Sequence, residues 1–337
     1  MPAREGDVIE TRDHALWDVK GLVHPPGRLI AYPRFIPHPE GGRVWRGVRY
    51  RKVYPLAERY ALLRGRYPNY LVYDPVFDEV LCEVPITDVV FRYDPRVRLR
   101  EMLSVDGLDG VEEAALKLAK IIRAEAGIGW NQMGVSGSLL TGIHTPTSDI
   151  DLIFYGVDAC RRVYHALKSL REAGVLSPYT VEGLKRLHRF RSTDTEVPFR
   201  EFVKTEARKV IQGMFSGREY FMRFVKDWNE VRERYGSTRY KQVGYARIRG
   251  VVTDDSQSIF TPCVYQLGNV EVLEGPEVPV REVCSFRGRF CEQARAGEVV
   301  VAQGKLELVM RDGEEPYHRI ILGGRPPDIM VPIGHLE

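Results

Sequence analysis

The chain has 337 residues, 44% of them hydrophobic and 28% charged, a balance that excludes intrinsic disorder and collagen-like or fibrous structure. Its length suits two or three domains, and its net charge of +3 is too small to imply a nucleic-acid partner by itself. No stretch approaches the roughly 18 consecutive apolar residues of a spanning helix, and Met1 to Glu10 carries both charge signs without an apolar run, so a cytoplasmic protein that is not embedded in a membrane is expected.

Up to about residue 105 the sequence mixes short strand patterns with Pro and Gly punctuation. His14 to Gly21, Arg28 to Phe35, Val44 to Val53, Tyr70 to Asp74 and Asp88 to Tyr93 read as strands, and Leu56 to Arg64 as a short helix. Residues 1–105 are therefore assigned to an N-terminal accessory region. At Asp109 the pattern changes. Asp109 suits an N-cap, Glu112 and Glu113 suit a first helical turn, and Ala115, Leu118, Ile121 and Ile122 recur at helical spacing until Gly127. A strand at Gln132 to Val135, a small-residue turn at Ser136-Gly137-Ser138 and a strand from Ser148 to Tyr155 follow. Helices are expected at Asp158 to Ala173, Val181 to Phe190 and Pro198 to Gln212, then a strand at Tyr220 to Val225. These elements define a core over residues 106–240. Beyond it, residues 241–337 read as a β-rich C-terminal domain, with strands at Tyr245 to Val252, Ile259 to Leu267, Val280 to Phe286, Val299 to Met310 and Tyr317 to Leu322 and a turn at Asp312-Gly313. The fold class is α+β.

Five cysteines, an odd number without a C-x-x-C pair, indicate neither a disulfide framework nor a zinc site and are expected to be buried small hydrophobes. P-loop, zincin, Rossmann and hydrolase-elbow motifs are all missing. The informative segment is the run from Gly134 to Tyr155, which contains Gly137-Ser138 and Asp149-Ile150-Asp151. If residues 149–154 form a strand, Asp149 and Asp151 share a face with α-carbons about 6.5–7 Å apart. Two carboxylates held so close repel each other and lose hydration unless a cation neutralises them, which points to a hard divalent ion with oxygen ligands.

Gly137-Ser138, ten intervening residues and then Asp149-Ile150-Asp151, together with Thr141-Gly142 and Pro146-Thr147-Ser148, resemble the signature of the DNA polymerase β-like nucleotidyltransferase superfamily. The resemblance is strongest over residues 110–175, and the whole chain also resembles archaeal proteins described as predicted nucleotidyltransferases. It implies a nucleotidyltransferase-type mixed sheet with flanking helices. It also implies transfer of a nucleoside monophosphate from a nucleoside triphosphate to a hydroxyl acceptor. Asp149 and Asp151 would hold Mg²⁺ or Mn²⁺, while Gly137 and Ser138 would hold the β and γ phosphates. Superfamily members complete the metal site with a third carboxylate. Asp255 is the first choice, because Ser258 to Tyr265 is similar to the strand that carries this acid in archaeal CCA-adding enzymes, although the register-matched residue is Ile259. Asp227 and Asp254 are the rivals.

Arginines outnumber lysines by 38 to 11 and fall into three clusters interleaved with aromatics. The first spans Arg43, Arg46, Arg49, Arg51 and Lys52. The second spans Lys185 to Arg191 and includes Arg189, and the third spans Arg281, Arg287, Arg289 and Arg295. Basic groups alternating with aromatics suit a phosphate backbone with stacked bases, so RNA is the expected acceptor, with Arg49, Arg51, Arg189 and Arg287 as contacts. The alternative is a nucleic-acid-binding protein that keeps the fold with weak catalysis. The acceptor, the selected base and the oligomeric state are not encoded legibly.

Overall fold

A computed structural model of the chain describes residues 2–335, and among them seven α-helices and three β-sheets form a mixed α+β fold. No helix among the described residues is long and apolar enough to cross a membrane.

The first sheet is antiparallel and has eight strands, all within residues 8–93. Its main path runs Arg43–Trp45, Val48–Lys52, Arg28–Pro37, Leu16–Val19, Val8–Thr11 and Val89–Tyr93. Glu79–Pro85 pairs with the start of the long Arg28–Pro37 strand and carries Leu71–Asp74 on its far edge. The expected continuous strand from Val44 to Val53 is a hairpin instead. Arg46 and Gly47 both adopt positive φ, 47° and 79°, as a two-residue type I′ turn requires. The Leu56–Arg66 helix closes the module over a core of Trp17, Ala31, Leu63, Tyr67 and Val84.

Residues 95–225 form the central layer. Asp109 accepts hydrogen bonds from the Val111 and Glu112 amides, Glu112 reciprocates, and the Gly110–Ala126 helix ends on left-handed Gly127, as expected. The four-stranded sheet runs Gln212–Phe215, Arg218–Val225, Ile150–Tyr155, Met133–Val135, with the middle pair parallel. Ile150, Leu152 and Phe154 pack into the helical core with Leu118, Ile122, Val163 and Leu167. Ile153 and Tyr155 are buried on the opposite face with Val225. Burial on both faces explains why this strand ends wholly apolar. The helix expected over Pro198 to Gln212 stops at Glu206. The Glu292 carboxylate accepts the Val210 and Ile211 amides at 2.8 and 3.2 Å, a long-range competitor that helical periodicity cannot foresee, and Gln212 begins a strand.

The C-terminal sheet is built on one 20-residue strand, Thr238–Gln257. It pairs with Cys263–Glu274 and with Glu298–Arg311. Val280–Ser285 and Tyr317–Leu322 complete the circuit, so the pairings close a five-stranded ring with Ile329–His335 added outside. The strand expected from Ile259 begins at Cys263, because residues 258–262 dock on the central sheet: the Thr261 amide donates to the Phe224 carbonyl at 2.9 Å. All five cysteines are free and buried.

A buried ion joins the central layer to this ring. Lys209 Nζ donates to Glu206 Oε1 at 2.7 Å, to the Arg289 carbonyl at 2.7 Å and to Gln293 Oε1 at 2.8 Å. Removing one member leaves an uncompensated buried charge, so Glu206→Ala should destabilise the chain by about 3–5 kcal/mol in equilibrium denaturation. Loss of less than about 1 kcal/mol would show that the junction does not depend on this group.

Candidate functional site

Asp151 lies in the Ile150–Tyr155 strand and Asp149 immediately precedes it. Gly137 begins the one-turn Gly137–Leu140 helix with φ of 60°, and the Ser136 amide is tied to the Asp151 carbonyl at 2.8 Å. A methyl group added at Gly137 would fall inside the Asp151 carboxylate. The glycine of the signature is thus required twice, for its left-handed backbone and for its close approach to the acid. Ser138 takes a different place from the one expected. It is buried, and its hydroxyl donates to Ser148 Oγ at 3.3 Å.

The parallel register sets Asp151 beside Phe221 and Ile150 beside Tyr220 on the neighbouring Arg218–Val225 strand. One step back along that strand is Glu219, and Asp149, Asp151 and Glu219 all line one cavity. Glu219 was not among the sequence candidates, since the strand was expected to start one residue after it. Two strands that leave the sheet at one end with acids in step were the available signal. Asp255 lies elsewhere. It does not line this cavity and instead acts on Tyr164, whose phenol is pushed up by burial and by Glu292 and Asp255; Tyr164 belongs to the Val157–Glu172 helix packed on the opposite side of the sheet. Asp227 bonds Arg4 and Arg96 at 2.8 and 2.9 Å, and Asp254 caps the Ser256 amide at 2.7 Å. Asp109, Glu112 and His144 bring three ligand atoms within 4.8 Å of one another, but the helix cap already engages both acids.

The cavity has a volume of about 830 Å³ and is bounded by all three sheets. Fifteen Lys and Arg residues line it against ten Asp and Glu, and Tyr54, Tyr179, Phe190 and Phe221 are among its aromatics. Each sequence cluster contributes part of itself. Lys52 comes from the first, Arg191 from the second, and Arg287 and Arg289 from the third. Arg43 also senses Asp149, which opposes the lowering of its pKa by burial. The other expected contacts do not line the cavity: Arg49 reaches the Gly41 carbonyl, Arg51 pairs with Glu58 and Arg189 is exposed. Strand and helix alternation is the reason, because neighbouring cations in a cluster point to opposite faces.

Deep in this wall, burial and the like charge of Asp149 push Asp151 up to about 7, against the opposing influence of Arg34, Arg223 and Lys52. Asp149, Asp151 and Glu219 present only oxygen donors, the type that suits Mg²⁺ or Mn²⁺, but their ligand atoms do not all lie within 4.8 Å of one another as those of Asp109, Glu112 and His144 do.

Fold and site define a mixed α+β protein with an acidic pair on the floor of a basic, three-walled cavity. The chain is 32% identical over 334 residues, 96% of its own length and 96% of the relative's, to the uncharacterized protein MJ1086 of Methanocaldococcus jannaschii, and it belongs to the same protein family. No protein-family model and no solved structure matches the chain.

Because Asp151 is raised in the folded state above its ordinary value of 3.8, the stability it contributes is complete below pH 3.8 and is lost as pH rises through about 7. In the presence of a chelator, Asp151→Asn should therefore melt with the wild type near pH 4 and above it at pH 8. The expected gain is on the order of 1 kcal/mol, about 2 °C. Equal melting curves at pH 8 would remove the case for a strained acid. Gly137→Ala should lower stability at every pH, by about 1–3 kcal/mol.

Proposed function

We propose that the chain is a Mg²⁺- or Mn²⁺-dependent nucleotidyltransferase that moves a nucleoside monophosphate from a nucleoside triphosphate to a hydroxyl of an RNA acceptor. One observation carries the reading: Gly137 is packed against Asp151, Asp149 stands beside it, and Glu219 is carried in step on the parallel neighbour, the three acids lining a cavity of nucleotide size. This supports a nucleotidyltransferase-type sheet and replaces Asp255 with Glu219 as the third acid.

Asp149, Asp151 and Glu219 would hold the divalent ions, which when bound polarise phosphoryl oxygens and make a hydroxyl more acidic. The chain's own groups do the rest. The glycine turn packs directly against Asp151 and fixes the position of its carboxylate. Lys52, Arg34 and Arg223 surround the carboxylates and supply positive charge to a triphosphate. Tyr179, which feels both Glu219 and Asp149, offers an aromatic face above them, and its phenol is held well up by burial, so it stays neutral. The cations that converge from all three clusters favour an acceptor with a phosphate backbone.

The test is incubation with each labelled triphosphate, Mg²⁺ and total cellular RNA, followed by identification of the labelled species. Asp149→Asn, Asp151→Asn and Glu219→Gln should each reduce transfer at least 100-fold, and Asp255→Asn should leave it within about twofold. Full activity in Glu219→Gln with loss in Asp255→Asn would reverse the assignment. Separately, log affinity for single-stranded RNA should fall with log salt by about 0.7 for each phosphate neutralised. Arg232→Glu and Arg234→Glu on the cavity rim should flatten that slope, whereas Arg49→Glu should not. RNA affinity undetectable at low salt would indicate a small acceptor.

A further inference from the structure

One wall of the cavity gathers five cations around a single phenol. Tyr54 stands where the first sheet meets the central helices, its ring 4.5 Å from that of Phe190 at a tilt of 36°. Around its ring lie the Arg34 guanidinium at 5.1 Å, the Arg59 guanidinium at 5.7 Å and the Lys52 ammonium at 5.8 Å. From the C-terminal ring, Arg287 and Arg289 reach the same point, and all six residues line the cavity.

Among the described residues two carboxylates form ion pairs with four of these five cations, and Lys52 and Arg34 also feel Asp151. Asp194 lies 2.8 Å from Arg287 and 3.6 Å from Arg289, and Asp18 lies 3.7 Å from Arg34 and 4.0 Å from Arg59. Arg289 and Arg59 have side chains only 5% and 10% exposed, so bulk water does little to screen them. Arg289 Nη2 and Arg59 Nε are buried without a hydrogen-bond partner, although Arg289 Nη1 is satisfied by Thr195 Oγ1 at 2.8 Å and the Arg191 carbonyl at 3.2 Å. Unmatched guanidinium donors in a buried setting are destabilising unless an anion supplies acceptors. The surrounding titrations agree. Burial and Arg287 bring Arg289 down to about 10, and although burial raises Tyr54, Arg289, Arg287 and Arg34 reverse this and bring its phenol down to about 7.

We infer that Arg34, Lys52, Arg59, Arg287 and Arg289, with the Tyr54 hydroxyl, form a phosphate-binding site that holds a phosphomonoester or polyphosphate dianion without a divalent metal. Guanidinium forks match phosphate oxygens in pairs, and four arginines from the N-terminal and C-terminal modules provide donors from more than one direction. The chemistry is shared by a free phosphate and by the phosphate of a nucleotide. Arg34 and Lys52 also border the acid pair, but because no metal is needed, binding here can be tested apart from nucleotidyl transfer.

The experiment is calorimetry and thermal melting of the full chain in excess chelator, with inorganic phosphate, tripolyphosphate, AMP and adenosine as probes. Saturable binding of tripolyphosphate, together with a rise in melting temperature, is expected. Binding of AMP but not adenosine assigns the phosphate of a nucleotide as the source, while binding of inorganic phosphate without AMP assigns a free anion; either supports the site. Arg59→Gln and Arg289→Gln should each weaken tripolyphosphate at least tenfold. Arg289 also braces the backbone, so Tyr54→Phe serves as a milder variant and should reduce affinity severalfold with an unchanged fold. Asp151→Asn should retain binding or strengthen it. The inference is overturned if no phosphate probe binds at millimolar concentration, if adenosine binds as well as AMP, if folded Arg59→Gln binds normally, or if Asp151→Asn abolishes binding.

Discussion

The central sheet is buried on both faces, and the second face is closed by an ion pair. Arg223 projects from the Arg218–Val225 strand on the side of Asp151, where it would be a stranded cation without Glu5. The Glu5 carboxylate is fully buried and accepts from Arg223 at 2.6 Å, from Lys20 at 3.1 Å and from the Gly21 amide at 3.0 Å. Gly6 follows at positive φ and lies so close to Ile153 that a side chain there would collide with it. Arg4 next extends over the Tyr155 ring at 4.1 Å and pairs with Asp227. Three consecutive residues of the first module thus seal the face that carries the acid pair. Such a pair has little net value over an apolar seal, but breaking it leaves one buried charge alone, which fixes how the module docks.

That closure creates the cavity and its charge. The N-terminal module contributes Arg34, Lys52 and Arg59, the central layer Arg191 and Arg223, and the C-terminal module Arg287, Arg289 and Arg319. Where a carboxylate is at hand the cation is balanced, as Arg319 is by Glu282 and Glu307 at 3.7 and 3.5 Å. Around Tyr54, Asp18 and Asp194 are each shared between two guanidiniums. The same cavity therefore holds an acid pair and a cluster of cations, with Arg34 and Lys52 near both. Opposite charges kept apart by a rigid fold, rather than collapsed onto each other, are what a site for a metal and a phosphate requires.

The legibility of the site followed the range of the contacts that build it. Asp149, Asp151 and Gly137 were readable because a strand's alternation and one tight turn decide their geometry within a few residues. Ser138 was misplaced by the same local view, since its bond to Ser148 crosses ten positions of loop. Glu219 escaped because its value comes from a parallel register with a strand more than 60 residues away, and pairing register is not written in either strand alone. Asp255 drew attention through likeness of a neighbouring segment, whereas the docking of residues 258–262 on Phe224 shifts the strand start and leaves that acid on the helix side. The arginine clusters were visible, but which members face inward depended on pleat and packing.

From its sequence alone this chain declares a mixed α+β fold, a capped helix at Asp109 and Gly127, and an acid pair beside a glycine turn. Each of these is set by interactions between near neighbours: side chain with backbone amide, alternation along a strand, positive φ at glycine. Closure of the C-terminal strands into a ring, the placement of Glu219 beside the acid pair, and the cations around Tyr54 belong to the tertiary structure. They arise where three sheets bring together charges separated by hundreds of positions. Coulomb interactions and the loss of water depend on distance in space, and folding determines that distance.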